Sequence, residues 1–150
     1  PTVNFQLDMP DHDVLVEIDA TMISQSLINL LKNAGEAIDA RQAKYGEKPK
    51  GKIHISLEQK NGKALITISD NGIGLPEDRA RLFEPYVTTR KKGTGLGLAI
   101  VKKIIEEHGG ILRLSDAECF GDAEFYGAKA VIDLPRSLGN LAMKLNEGIK

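Results

Sequence analysis

Hydrophobic residues recur along the chain with two spacings, one typical of helices and one typical of strands. After a candidate N-cap at Asp19 or Thr21, apolar residues fall three or four positions apart as far as about Arg41, which predicts a long amphipathic helix. The same spacing over residues 98–108 predicts a second helix, which the glycine pair after it would end. A third, short helical turn is predicted over residues 76–82.

Runs rich in β-branched residues predict the strands. They cover residues 3–7, 14–18, 53–59, 64–69, 111–115 and 129–134. A turn joins the first two, and Asn61-Gly62 is a strong signal for a two-residue hairpin between the third and the fourth. The elements predict an α+β fold, a two-layer α/β sandwich whose mixed, mostly antiparallel sheet packs on about three helices. We predict one domain over residues 1–135, and over residues 136–150 a C-terminal tail that is a linker, a stray helix or a disordered segment.

The composition is that of an ordinary globular domain and argues against several classes of protein. The formal net charge of −1 leaves no broad positive surface for nucleic acid or an anionic membrane. Cys119 is the single cysteine, which excludes an internal disulfide and a cysteine-based zinc cluster. No apolar run approaches roughly 20 residues, the length of a membrane-spanning helix. We expect a cytoplasmic domain with no nucleic-acid partner, and Pro1 in place of an initiator methionine favours a fragment of a longer protein.

The stretch Asp70-Asn71-Gly72-Ile73-Gly74 carries the first candidate chemistry. It follows a predicted strand, so we expect the Asp70 carboxylate at the strand end, with exposed main chain beyond it. Gly72 and Gly74 lack a Cβ, which lets the chain adopt φ > 0 and lets a flat ligand lie against the main chain. A carboxylate can accept a hydrogen bond from an exocyclic amine such as that of adenine. The alternative is an ordinary turn with an Asx motif at the end of a strand.

Asn29, Asn33 and Glu36 share one face of the first predicted helix, because they lie four and three residues apart. Buried without partners, such groups would cost about 1–3 kcal/mol each, so we expect them to face water or a ligand. Amide and carbonyl oxygens suit Mg²⁺, which usually keeps several waters and shares its ligands with nucleotide phosphates. The alternative is the solvated face of an amphipathic helix.

Another stretch, Gly93-Thr94-Gly95-Leu96-Gly97-Leu98, leads directly into the second predicted helix. A glycine-rich turn at a helix N-terminus presents unpaired N–H groups and the positive end of the helix dipole, and both favour phosphate. Arg90, Lys91 and Lys92 add cations immediately upstream. The stretch is not a Walker loop, because Gly-Lys-Ser/Thr is absent, and it is not a dinucleotide fingerprint, because no strand precedes it.

Together these stretches resemble the ATP-binding domains of sensor histidine kinases. Asn29-Leu30-Leu31-Lys32-Asn33-Ala34 looks like their N box, and Asp70-Asn71-Gly72-Ile73-Gly74 like their first glycine box. Phe83-Glu84-Pro85 matches the F box, and Gly93-Thr94-Gly95-Leu96-Gly97-Leu98 the second glycine box. Order and spacing agree over about residues 3–134. The wider GHKL superfamily, which includes gyrase, the 90-kDa heat-shock chaperones and mismatch-repair ATPases, has the Bergerat nucleotide-binding fold.

The run Glu84-Pro85-Tyr86-Val87-Thr88-Thr89-Arg90, with Glu36 after the N box, is most similar to the nitrogen-regulation branch of these kinases. By resemblance, Asn33 would coordinate a Mg²⁺ that bridges the ATP phosphates, and Asn29 would support the phosphate or the metal. Asp70 would bind the adenine amino group, directly and through water. Many of these kinases have a basic residue at the position of Glu36, so a metal-side role or a role in orienting the acceptor histidine stays open for it.

The remaining nucleotide contacts that the resemblance implies form two groups. Those that would border the adenine base are Gly72, Gly74, Leu75 and Leu98. Those that would hold the phosphates are Thr88, Thr89, Arg90, Lys91, Gly93, Thr94, Gly95, Leu96 and Gly97. Residues 76–92 would form a mobile ATP lid, with Phe83 as its anchor.

Asn29 matches the position at which gyrase-like and chaperone-like relatives place a glutamate as general base. An amide cannot take up a proton, so we expect weak hydrolysis and transfer of the γ-phosphoryl group to an external nucleophile. In sensor kinases that nucleophile is a histidine, followed by an acid, on a dimeric helical hairpin. The sequence contains no such hairpin: His12 lies in a predicted loop, His54 on a predicted strand and His108 at a predicted helix end, and all three are predicted to be structural.

The resemblance therefore implies a transferase domain that binds ATP and Mg²⁺ but does not phosphorylate itself. Its partners would be the phosphoacceptor hairpin of its parent protein and, indirectly, a response regulator. The domain would be monomeric and the parent a homodimer, with anchoring of the parent in the inner membrane left open. The alternatives are a stand-alone hydrolysing ATPase of the superfamily, an anti-sigma-type serine kinase and a non-catalytic module that binds a partner protein.

Overall fold

The computed structural model describes residues 3–16, 18–77, 97–117, 127–135 and 143–144. The elements in chain order are β1 (Val3–Asp8), β2 (Leu15–Val16), α1 (Ala20–Tyr45), β3 (Gly51–Lys60), β4 (Lys63–Asp70), α2 (Gly97–Glu107), β5 (Ile111–Asp116), β6 (Ala128–Pro135) and β7 (Met143–Lys144). Both long helices and all the predicted strands are found. Most of the predicted turn over residues 76–82, and of the predicted lid, lies outside the described residues.

Five strands form one mixed sheet in the order β1-β3-β4-β6-β5. β1 runs parallel to β3, and the other neighbouring pairs in this sheet are antiparallel. Both helices pack on one face of the sheet and against each other. The most deeply buried core side chains are contributed by both layers and include Ile23, Ile38, Ile66, Ile105 and Ile132. The predicted two-layer α/β sandwich is confirmed.

α1 begins directly after Asp19, one of the two predicted N-cap residues. Asp19 Oδ1 caps the helix by accepting a hydrogen bond of 3.1 Å from the Met22 N–H in the first turn. The helix continues past its predicted end at about Arg41 to Tyr45. The apolar spacing could not reveal this last turn, because its side chains no longer face the core. Gly46 ends the helix with a φ of 102°, and its N–H donates to the Gln42 carbonyl oxygen at 2.9 Å.

The predicted hairpin and the predicted end of the second helix are both confirmed. Asn61 and Gly62 adopt φ values of 53° and 73° between β3 and β4, as a two-residue turn with positive φ at both positions requires. Gly109 has a φ of 76° just after α2, and the Gly110 N–H donates to the Ile105 carbonyl oxygen at 2.9 Å. In the described part of the chain, no helix combines the length and the hydropathy of a membrane span.

The two N-terminal strands do not pair with each other, although only a short turn separates them. β1 joins the edge of the large sheet, whereas β2 pairs with β7 in a separate antiparallel pair. In that pair Leu15 lies opposite Lys144 and Val16 opposite Met143. Part of the predicted tail is therefore a strand, which none of the three alternatives for residues 136–150 anticipated. The partner of this strand lies far away in the chain, and a local pattern cannot indicate it.

Candidate functional site

Asp70, the last residue of β4, keeps its carboxylate inside the protein and is 5% exposed. Its Oδ1 accepts hydrogen bonds from the main-chain N–H of Gly72 at 2.8 Å and from that of Ala128 at 3.3 Å. The expectation of exposed main chain directly beyond Asp70 is wrong, since Asn71 and Gly72 are also buried. Two main-chain donors on one oxygen fix the orientation of the carboxylate.

The turn after Asp70 is pressed against α1. The Ile73 N–H donates to the Ala37 carbonyl oxygen at 2.9 Å. A Cβ added to Gly72 would lie 2.5 Å from the carbonyl carbon of Ala37 and 2.6 Å from its Cβ, too close for any side chain. Glycine is therefore required at position 72 by contact with a helix. Gly74 needs to be glycine for another reason, because its φ of 88° is a conformation that other residues rarely adopt.

Asn71 connects the same turn to β3 and is 1% exposed. Its Oδ1 accepts from the Lys52 N–H at 2.8 Å, and its Nδ2 donates to the Lys50 carbonyl oxygen at 2.9 Å. Its main-chain oxygen accepts from Nε of the fully buried Arg41, on α1, at 2.9 Å. The turn is thus held by a helix on one side and by a strand on the other.

Asn29 and Asn33 lie in the row of α1 residues that leads to the turn. Together with Ala37 they follow one another at intervals of four, so they stand one above the other on the helix, with Glu36 beside them. Asn29, Asn33 and Glu36 are all partly exposed, and none of these side chains has a hydrogen-bond partner among the described residues. Since Ala37 accepts the hydrogen bond from Ile73, the asparagines and the Asp70 turn share one side of α1.

The start of α2, the second helix, is the next part of the candidate site, and α2 packs against α1. Gly97 is its first residue, and Leu98 is partly buried against the core. Leu75, just after the Asp70 turn, is also partly buried. The other predicted phosphate contacts lie outside the described residues: Thr88, Thr89, Arg90, Lys91, Gly93, Thr94, Gly95 and Leu96. The predicted lid anchor, Phe83, lies outside them as well.

The start of β6 contributes two residues that the sequence analysis missed. Ala128 supplies the second N–H on Asp70 Oδ1. A Cβ added to Gly127, just before it, would overlap with both the main-chain oxygen and Oδ1 of Asp70. The available signal was a lone glycine directly before a strand, which often marks a close approach of two main chains. Only the fold tells which chain it approaches.

The three histidines make hydrogen bonds within the fold. His108 connects the two helices, because its Nε2 accepts from the Asp19 N–H at 3.0 Å and its Nδ1 is 2.7 Å from the Ile104 carbonyl oxygen. The Nε2 atoms of His54 and His12 contact polar side chains of neighbouring segments at 2.6 Å and 3.1 Å.

Comparison with known proteins identifies relatives of this arrangement. Residues 18–138 match the family described as histidine kinase-, DNA gyrase B- and HSP90-like ATPase. The nitrogen regulation protein NtrY of Azorhizobium caulinodans is 50% identical over 118 residues, which are 78% of this chain and 15% of that protein. A putative NtrY-like sensor histidine kinase of Rickettsia conorii is 42% identical over 127 residues, 84% of this chain and 19% of that protein. The chain thus spans less than a fifth of the length of these relatives.

Two solved structures with a similar fold are histidine kinases. The mycobacterial sensor histidine kinase MprB superposes with a TM-score of 0.72 at 28% identity, over 89% of this chain and 84% of that one. The catalytic domain of the histidine kinase ThkA gives a TM-score of 0.69 at 34% identity, over 89% and 80% of the two chains. The order of the motifs, the fold and the matched family agree: the chain belongs to the histidine kinase-, DNA gyrase B- and HSP90-like ATPase family, as an ATP-binding domain of the sensor histidine kinase type.

Proposed function

We propose that this chain is the catalytic domain of a sensor histidine kinase, and that it transfers the γ-phosphoryl group of ATP to a histidine on a separate dimerisation and phosphoacceptor domain. The observation that carries the proposal is the hydrogen bond from Ile73 to Ala37, which joins the Asp70 turn to the row that Asn29 and Asn33 begin. A purine held by the turn and phosphates held near the asparagines can then belong to one ligand. The identity with NtrY over most of the chain supports the same function.

Asp70 is proposed to accept a hydrogen bond from the exocyclic amino group of adenine, directly and through water. The two main-chain N–H groups on Oδ1 hold the carboxylate in a fixed orientation for this task. Gly74 and Leu75 are proposed to border one side of the base, and Leu98 to pack on its other face. Gly72 would act indirectly, since its contact is with α1.

Asn33 is proposed to coordinate Mg²⁺, supported by Asn29. The two amides fit this role, because they are partly exposed and no side-chain hydrogen bond within the described residues competes for their oxygens. Among those residues no group of three or more histidine, cysteine, aspartate or glutamate side chains could hold a metal. Mg²⁺ usually keeps several waters and shares its ligands with phosphate oxygens, which would complete the proposed site. The bound ion would offset the negative charge of the phosphates, and Glu36 would assist from the metal side or orient the acceptor histidine.

The phosphates are proposed to lie at the N-terminus of α2, which begins at Gly97. Unpaired main-chain N–H groups and the positive end of the helix favour negative charge there. The predicted contacts over residues 88–96 would complete this group, with the threonines, Arg90 and Lys91 reaching from the lid.

The chemistry of the asparagine row favours transfer over hydrolysis. An amide at position 29 cannot accept a proton from water, so no general base for hydrolysis is supplied at this position. Catalysis then consists of holding the γ-phosphoryl group in line with an acceptor and offsetting its charge.

A response regulator is proposed as the next partner of the parent protein. The histidine kinase ThkA, 32% identical to this chain, has been solved in complex with the response regulator protein TrrA, which supports this proposal.

The test is calorimetric titration of the chain with ATP in the presence and absence of Mg²⁺, followed by incubation with labelled ATP and the phosphoacceptor domain of a sensor histidine kinase. We expect Mg²⁺-dependent binding, weak steady-state hydrolysis, and label on histidine only when the acceptor domain is present. Asn33→Ala should abolish transfer, while the matched control Asn4→Ala, exposed on β1, should leave it unchanged.

Other outcomes would support the alternatives. Rapid hydrolysis without an acceptor would favour a stand-alone ATPase, and label on serine of a supplied protein would favour a serine kinase. A chain that binds no nucleotide at millimolar concentration would refute the proposal.

A further inference from the structure

Gly127 lies where the chain re-enters the sheet beside Asp70, and it is buried. An added Cβ would overlap with two Asp70 atoms, the main-chain oxygen and Oδ1. The first belongs to the main chain of a central strand and cannot move aside, because Asp70 lies opposite Ile53 in the β3–β4 register. The second is the oxygen whose position sets the orientation of the carboxylate.

The main chain at Gly127 is also prevented from retreating. Its carbonyl oxygen accepts a hydrogen bond of 2.9 Å from the Ala117 N–H. The next residue, Ala128, lies opposite Asp116 in the β5–β6 register and donates to Asp70 Oδ1. A side chain at position 127 would therefore be accommodated at the expense of Asp70, through rotation of its carboxylate or loss of the Ala128 hydrogen bond.

We propose that Gly127 is a positioning residue for recognition of the nucleotide base: it allows the approach that aims the Asp70 carboxylate at the exocyclic amino group of the purine. The inference rests on the proposed function, in which Asp70 binds that group. It predicts that a side chain at position 127 weakens recognition of the base and leaves recognition of the phosphates intact. The steric conflict at position 127 falls on Asp70, whereas the phosphates are proposed to lie near Asn29, Asn33 and the start of α2.

Gly110 provides a matched control at the opposite end of the β5–β6 pair. A Cβ there would lie 2.5 Å from the Asp133 main-chain oxygen and 2.9 Å from Leu134 Cδ2, so an added side chain conflicts with a main-chain oxygen of β6. Asp133 is on β6 and forms ion pairs with Lys63 and Arg113, away from the Asp70 turn. Gly110→Ala therefore reports the cost of crowding this strand pair without any effect on Asp70.

The experiment compares the wild-type chain, Gly127→Ala and Gly110→Ala by titration with Mg-ATP and with Mg-tripolyphosphate, which lacks a base, at a temperature where each variant is folded. We expect Gly127→Ala to raise the Kd for Mg-ATP by about tenfold or more, the loss expected when a hydrogen bond to a charged group is disrupted. Its Kd for Mg-tripolyphosphate should change by less than about threefold on the same scale. Gly110→Ala should lower the Tm and leave both Kd values unchanged.

The inference is overturned if Gly127→Ala binds Mg-ATP as the wild type does, if it loses affinity for both ligands equally, or if Gly110→Ala loses as much affinity for ATP. A wild-type chain that binds no Mg-ATP would instead refute the proposed function, and the inference with it. If Gly127→Ala does not fold, the amide resonance of Ala128 in the wild-type chain decides. It should shift on addition of Mg-ATP but not of Mg-tripolyphosphate, and an unchanged resonance with Mg-ATP would overturn the inference.

Discussion

Replacing Asn71 by alanine should destabilise the domain more than its small size suggests. The side chain is buried and satisfies two main-chain groups at the start of β3, the Lys52 N–H at 2.8 Å and the Lys50 carbonyl oxygen at 2.9 Å. Asn71→Ala leaves both groups without this partner. An unsatisfied buried donor or acceptor costs about 1–3 kcal/mol, and these two are only partly buried, so the expected loss of unfolding free energy is about 2–4 kcal/mol.

The assay is urea unfolding followed by far-ultraviolet circular dichroism, since the chain contains no tryptophan. In thermal unfolding, a domain of this length loses roughly 2–4 °C of Tm per kcal/mol, which predicts a fall of about 5–15 °C. The denaturant slope should not change, because the surface exposed on unfolding stays the same. Asn4→Ala is the control, an exposed asparagine on β1 whose replacement should alter stability by less than about 0.5 kcal/mol.

A loss below about 0.5 kcal/mol for Asn71→Ala would refute the reasoning, because it would mean that water satisfies the Lys50 and Lys52 groups at no cost. An equal loss in Asn4→Ala would also refute it, since the effect could then not be assigned to the buried amide. Nucleotide affinity should weaken along with stability, because Asn71 also holds the Asp70 turn against β3.

Three further substitutions separate binding from folding. Asn33→Ala should weaken Mg-ATP binding in calorimetry by about tenfold or more. It should leave the free energy of unfolding unchanged or raise it by up to about 0.5 kcal/mol, because alanine is the better helix former, and a clear loss of stability would contradict this. Gly72→Ala should cost about 1–3 kcal/mol in urea unfolding through its clash with Ala37, and a variant as stable as the wild type would show that α1 yields easily. His108→Ala should cost about 1–2 kcal/mol, because it removes the hydrogen bond from the Asp19 N–H at the start of α1 and the one to the Ile104 carbonyl oxygen within α2. A cost near zero would show that these bonds add no stability.

The elements and the candidate chemistry could be read from the sequence, because both depend on neighbours in the chain. Apolar spacing revealed the two helices, and Asn61-Gly62 revealed a turn that needs positive φ at both residues. Asp19 could be named beside Thr21 as a candidate cap, because the partner of a cap lies only three residues away. The spacing of Asn29 and Asn33 placed them on one helical face for the same reason.

The packing of the site was decided by the tertiary structure, because it depends on contacts between segments far apart in sequence. The sequence suggested that position 72 is glycine so that a ligand can approach the main chain. In the structure, the close contact with Ala37 of α1 requires glycine there. The sequence suggested exposed main chain beyond Asp70. In the structure Asp70 is buried, because the turn after it folds back on Ala37 and because Gly127 and Ala128, more than fifty residues later in the chain, lie against it. A local sequence pattern indicates which conformations a segment prefers. Which atoms lie next to a residue such as Gly72 or Gly127 is determined only by the order of the strands and the packing of the helices.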